Sequence, residues 1–173
     1  MKLEELNALD AAAFEDAFGD IAEETPWVAL EASRAGPFAS RAAVIDAFAA
    51  ALMGADDEDK LAVICAHPDL AGKLAAAGRL TEDSTAEQAS AGLDQLTDAE
   101  REEFTALNES YKARFGFPFI LAVKGATKAQ ILSSFRERLP KNRQTEFEEA
   151  LKQVCRIMTF RLEERISESA END

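Results

Sequence analysis

At 173 residues, with 47% hydrophobic and 30% charged side chains, the chain has the size and composition of one folded domain with a real core. Its 33 Asp and Glu against 19 Lys and Arg leave a net charge of −14, a field that repels phosphate backbones and anionic lipid and so argues against nucleic-acid and membrane binding. Cys65 and Cys155 lack paired spacing, and together with the lone His67 they match no familiar zinc spacing, so neither a disulfide framework nor a metal site is expected.

The first residues, MKLEELNALDAAAFEDAF, lack the basic region and apolar run of a secretory signal. No window reaches the ~18 apolar residues of a membrane span, and the last residues, SESAEND, carry no peroxisomal address. A cytoplasmic protein is expected. Ala, Leu, Glu, Lys and Arg dominate, and apolar residues recur at three and four, as in Val44, Phe48, Ala51 and Leu52, which predicts helices. The pattern places them near 10–18, 26–34, 40–53, 57–66, 68–77, 84–95, 98–115, 128–139 and 142–168. Thr25 ahead of Pro26 reads as a cap followed by a first-turn proline, Ser40 as the next cap, and Thr97…Glu100 and Thr127…Gln130 as capping boxes. Gly19, Gly54, Gly78 and Gly116 fall where helices should stop.

Three places along this order carry chemistry. His67 precedes Pro68, and a residue before proline avoids the α region, so the only imidazole is expected at a joint between two helices. There the end of the preceding helix favours imidazolium and the start of the following one favours the neutral base. On composition alone His67 reads first as a helix-end cap, with a functional group as the alternative. Ser84-Thr85-Ala86-Glu87 fits a capping box, but a wheel with Ala89, Leu93 and Leu96 as core stripe puts Ser84, Glu87, Gln88 and Ala91 on a face that is either wet or lines a cleft. In the last helix Phe147, Leu151, Val154, Met158 and Leu162 form the apolar stripe, and Arg161 and Arg165 lie on or beside it. Each is either a guanidinium with an anionic or carbonyl partner or a packed stem whose head reaches water. Between helices, 117–123 is apolar, interrupted by Pro118 and too short for a helix, so an extended buried connector is expected. Trp27, Phe38, Phe104 and Tyr111 read as core or core edge. The fold class is all-α: a single compact domain over 1–168 of about eight to nine helices with one short extended connector, then a polar tail at 169–173.

The stretches Leu6-Asn7…Phe14, Pro26-Trp27-Val28, Gly36-Pro37-Phe38, His67-Pro68-Asp69-Leu70-Ala71, Ser84-x-x-Glu87-Gln88-x-x-Ala91-Gly92-Leu93, Leu107-Asn108-x-x-Tyr111-x-x-Arg114-Phe115-Gly116-Phe117-Pro118-Phe119-Ile120 and Arg156-Ile157…Arg161-Leu162 run in order over most of the chain. Together they resemble the OHCU decarboxylase family, whose substrate is 2-oxo-4-hydroxy-4-carboxy-5-ureidoimidazoline and whose product is (S)-allantoin. Two departures are mild: Ala126-Thr127 stand where Arg or Ser is common, and the peroxisomal tail of many eukaryotic members is missing. The resemblance implies an all-helical homodimer with His67 and Glu87 as the catalytic pair. It also implies Pro68, Ser84, Gln88, Arg161 and the backbone around Phe119 and Ile120 as substrate contacts. No cofactor is expected, because the carboxyl leaves from the carbon next to an imine carbon, and the substrate's own C=N accepts the electrons that stay behind. Two rivals remain on sequence alone: a non-catalytic acidic helical interaction module in which His67, Ser84 and Glu87 are caps, and a relative that decarboxylates a different ureido acid.

Overall fold

Short-range capping and helix-forming composition dictate most of the local structure. The computed structural model describes residues 1–167, with Leu74 and Ala76 described by backbone alone. The helices are α1 (Leu3–Asn7), α2 (Ala11–Phe18), α3 (Trp27–Ser33), α4 (Arg41–Gly54), α5 (Asp57–Ala66), α6 (Lys73–Ala76), α7 (Glu82–Ser90), α8 (Asp98–Phe115), α9 (Lys128–Arg138) and α10 (Arg143–Arg165). The fold is all-α, and among the described residues the sole β pairing is an isolated parallel bridge between Lys2 and Ser167. The tail expected at 169–173 lies outside the described residues.

At Ser40, Thr97 and Thr127, where the cap is one residue meeting another three positions on, the reading of the sequence holds. Ser40 Oγ accepts from Ala43 N at 3.1 Å. Thr97 and Glu100 exchange bonds of 3.2 and 2.8 Å, and Thr127 and Gln130 bonds of 3.2 and 2.9 Å. Three expectations need correction. Pro26 is the N-cap of α3, and the Thr25 hydroxyl donates backwards to Ala22 O at 2.5 Å instead of capping forwards. The helix expected at 68–77 shrinks to α6, leaving 68–72 irregular. The helix expected from 84 starts at Glu82, because Thr81 accepts from Ser84 N at 3.2 Å and Glu82 and Asp83 then occupy the first turn, where the helix dipole favours acidic side chains.

The chain groups into two compact units, Met1–Ala66 with Cys155 onward, and His67–Val154. In the first, α2, α3 and α4 pack together, and Phe14 sits at the centre of an aromatic cluster, 4.9 Å from the ring of Phe18 and 6.1 Å from that of Phe48. The Asn7 side chain ties down the Phe38 backbone on both sides, donating to its carbonyl at 2.8 Å and accepting from its amide at 2.7 Å. In the second unit, Tyr111 and Phe115 of α8, Phe135 of α9 and the connector residues Phe117 and Phe119 form a second buried aromatic cluster. Each such buried side chain contributes about 1.5–3 kcal/mol relative to exposure. The turn from α8 into the connector needs Gly116, which closes the helix in the left-handed region at φ +80°.

Candidate active site

His67 follows the last residue of α5, whose Val63 and Ile64 are buried anchors, and is itself buried. The helix expected to start at Pro68 is absent, so of the two opposing helix ends anticipated at this histidine the following one is missing. The loop after it is held by side chains from two other helices. Ala71 N donates to Gln88 Oε1 of α7 at 2.8 Å, and Gln88 Nε2 donates weakly to Asp69 O at 3.4 Å. Asn108 Nδ2 of α8 donates to Leu70 O at 2.9 Å, and Lys112 Nζ meets Asp69 Oδ2 at 2.5 Å. The constraint is strong enough to keep Ala71 at φ +53°, a conformation that non-glycine residues avoid. Gly72 is obligatory for close approach, since a Cβ there would lie 2.6 Å from the Cβ of Asp69.

On α7 the wheel reading holds only in part: Leu93 is buried as expected, but Ala89 is not. Ser84 and Gln88 are buried, Glu87 is half-buried and Ala89 is exposed. The reason is that α7 ends at Ser90, so Leu93 and Leu96 never share its wheel, and Gln88 points inward because it has a backbone partner there. Ser84 sits at the third position of the helix rather than at its cap, so the Ser84–Glu87 capping box does not form and Glu87 is released from that role. A cavity of about 470 Å³ opens beside the loop, with Ala71, Gln88, Leu93 and Arg101 in its wall.

The connector 117–123 is extended and buried, as expected. The Phe119 ring stacks on Phe135 at 3.7 Å, and the Ala122 amide donates to Gln153 Oε1 at 3.0 Å. Among the described residues, the amides of Phe119 and Ile120 meet no acceptor, although both residues are buried. Two backbone donors in an apolar setting are a ready site for a ligand oxygen, because a buried N–H left unmet costs about as much as a lost hydrogen bond.

The two arginines of α10, level on the wheel, are separated by their partners. Arg161 is 2% exposed and pairs with Glu23, 3% exposed, at 2.7 Å, while its other arm donates to Ile21 O at 3.2 Å. Glu23 holds this position at φ +59°, a strained conformation for a side chain that is not glycine. Arg165 is more open: it forks onto both oxygens of Asp20 at 2.5 and 2.9 Å and holds the Asp20 carboxyl below the usual carboxylate range. Glu23 carried no sequence signal, since nothing in a run of acidic residues marks the one that folds inward.

His67, Ser84, Glu87, Gln88, Phe119 and Ile120 thus belong to one unit and Arg161 to the other. Among the described residues no three His, Cys, Asp or Glu side chains gather in a way that would hold a metal ion. Nor is any helix among them long and apolar enough to cross a membrane. Within the second unit, a buried imidazole, a half-buried carboxylate and two unmet amides are groups able to move protons and to hold a small polar molecule. The chain belongs to the OHCU decarboxylase family, which matches residues 7–163 and makes it a carboxy-lyase. It is 41% identical to 2-oxo-4-hydroxy-4-carboxy-5-ureidoimidazoline decarboxylase of Haloferax volcanii over 96% of this chain and 97% of that one. To the Bos taurus protein of the same name it is 35% identical, over 97% and 99% of the two chains. A solved (S)-allantoin synthase superposes with a TM-score of 0.78 at 30% identity, covering 96% of this chain and 54% of that one.

Proposed function

We propose that the protein decarboxylates 2-oxo-4-hydroxy-4-carboxy-5-ureidoimidazoline to (S)-allantoin, with His67 and Glu87 moving protons and Arg161, Ser84, Pro68 and the Phe119 and Ile120 amides holding the substrate. The observation that carries the reading is the family match, which runs through every one of these residues. The C–C bond to the carboxylate breaks, its electron pair flows into the neighbouring C=N, and that nitrogen takes up a proton as CO₂ leaves. The resulting enol gives up its hydroxyl proton, and the ureido-bearing carbon receives one on a single face, which sets the S configuration. These steps ask the protein for position and for a proton relay. His67, buried at the end of α5, and Glu87, half-buried on α7, supply the relay.

Arg161 holds a carbonyl or ureido oxygen rather than the departing carboxylate, since tighter binding of that charge in the ground state than in the transition state would slow its loss. The Phe119 and Ile120 amides take another oxygen without adding charge. Gln88 was expected to touch substrate; its side-chain oxygen is engaged by Ala71, which supports a part in shaping the loop after His67. We further infer a homodimer, from the resemblance alone, and keep the cytoplasmic location expected from the sequence. The test is to add the protein to urate freshly converted through the two preceding enzymatic steps. Faster loss of the intermediate with a growing (S)-allantoin circular-dichroism signal, insensitive to chelator, is expected. Unchanged decay to racemic product overturns the reading.

A further inference from the structure

Beneath the Phe119–Ile120 backbone lies a charged group to which the proposed reaction assigns no part. Arg138, in the last turn of α9, is buried and pairs through Nε with Oε2 of Glu146, which is 0% exposed, at 2.8 Å. The Tyr111 hydroxyl donates to the same oxygen at 2.5 Å. The other arm of the guanidinium, Nη1, donates to the Ile120 carbonyl at 2.6 Å, and its carbon lies 4.3 Å from the centre of the Phe119 ring. Two polar atoms of the pair, Arg138 Nη2 and Glu146 Oε1, are buried without a hydrogen-bond partner.

As a device for joining α9 to α10 this is wasteful. Burying two charges costs several kcal/mol each, an incomplete hydrogen-bond shell makes the cost worse, and an apolar pair of similar volume often does as well or better. What an apolar pair lacks is direction. A bond to the Ile120 carbonyl sets the peptide plane that follows Ile120, while the guanidinium and Phe135 both lie against the Phe119 ring. The Ile120 amide lies between the held ring and the held carbonyl, and the Phe119 amide is attached to the Cα that carries the ring, so both have little freedom to turn; these are the amides that no acceptor in the described chain meets.

We propose that Arg138, itself set by Glu146 and Tyr111, is a positioning residue: it aims the Phe119 and Ile120 amides at a substrate oxygen without touching substrate. The proposal rests on the reading of those amides as substrate contacts. Misplacing such donors by about 1 Å costs on the order of 10²-fold in rate, as does losing one of them.

The test uses the whole chain and separates stability from aim. In the double variant Arg138→Met/Glu146→Leu the charges leave together, so the fold should be retained, with the melting temperature lowered only by the Tyr111 hydroxyl left without its acceptor, while kcat/KM falls about 10²-fold. Arg138→Lys, which keeps the charge but cannot span both Glu146 and the Ile120 carbonyl, should fall at least 10-fold. A second readout is the 15N–1H signals of Phe119 and Ile120 on titration with (S)-allantoin. Both should shift in the parent and should shift weakly, with weaker binding, in the folded variants. If they do not move in the parent, the amides are not contacts and the proposal falls with that reading. If they move equally in parent and variants, with kcat/KM within two-fold, the amide reading stands and the role of Arg138 is overturned. Should the double variant not fold, the kinetics and spectra of Arg138→Lys decide in the same terms.

Discussion

His67, Glu87 and Arg161 each invited a plain structural reading, and substitutions separate it from the functional one. Thr81, not Ser84, caps α7, so Thr81→Ala should lower stability by about 0.5–2 kcal/mol. Glu87→Gln should leave the melting temperature nearly unchanged and slow turnover on the order of 10²-fold, and His67→Asn should do the same. A drop in melting temperature with near-normal turnover at either position would make that residue structural. For the arginines of α10, Arg161→Lys loses the planar fork that meets both Glu23 and Ile21, so kcat/KM should fall sharply with the fold retained. Arg165→Lys, at the open pair with Asp20, should be nearly silent. Equal kinetics for the two would remove Arg161 from the site. Glu23→Ala leaves a buried guanidinium short of its carboxylate and should cost about 3–5 kcal/mol in denaturant melts.

Among the elements, α8 shows how local rules and tertiary demands meet. Its start is set by Thr97 and Glu100 and its end by Gly116, while one face delivers Asn108 and Lys112 to the loop after His67 and Tyr111 to Glu146. Gly116→Ala places a Cβ in a left-handed residue and should destabilise by about 1–2 kcal/mol, although open space surrounds the position. Because the connector begins at the next residue, the same change should weaken allantoin binding by more than Thr97→Ala does at the far end of the helix. Calorimetric titration of the two variants checks this, and equal affinities would show that the connector is placed independently of the turn.

For the molecule as a whole, pH reads out the Tyr111 cluster. Burial, and then the hydrogen bond to Glu146, push this phenol well above its ordinary range. A group whose folded pKa is raised contributes its full stability below its unfolded value, near 10, and loses it as pH rises beyond that. Stability should therefore fall above about pH 10, and Tyr111→Phe should flatten the fall. The chain has a single tyrosine, so tyrosinate absorbance reports it directly and should appear only as the protein unfolds. Ionisation near pH 10 in the folded protein would contradict the burial. Saturating (S)-allantoin should raise the melting temperature in proportion to RT ln(1 + [L]/Kd), whereas a helical module without a binding site would show no dose-dependent shift.

The amino-acid sequence determined by itself whatever depends on neighbours three or four residues apart. The caps at Ser40, Thr97 and Thr127, the stripe from Phe147 to Leu162, the buried connector and the family motifs were all legible. Even the local signal divided where two acceptors competed, as Thr81 and Ser84 did at the start of α7. Only the tertiary structure decided which polar residues turn inward. Gln88 faces in because Ala71, 17 residues away, supplies its partner, and Glu23 is the inward carboxylate because Arg161 lies 138 residues further along. The strained backbone at Glu23 and Ala71 and the hold of Arg138 on Ile120 were equally silent in the sequence. A buried polar group is tolerable only where a partner waits, and the partner's place is set by the packing of distant helices.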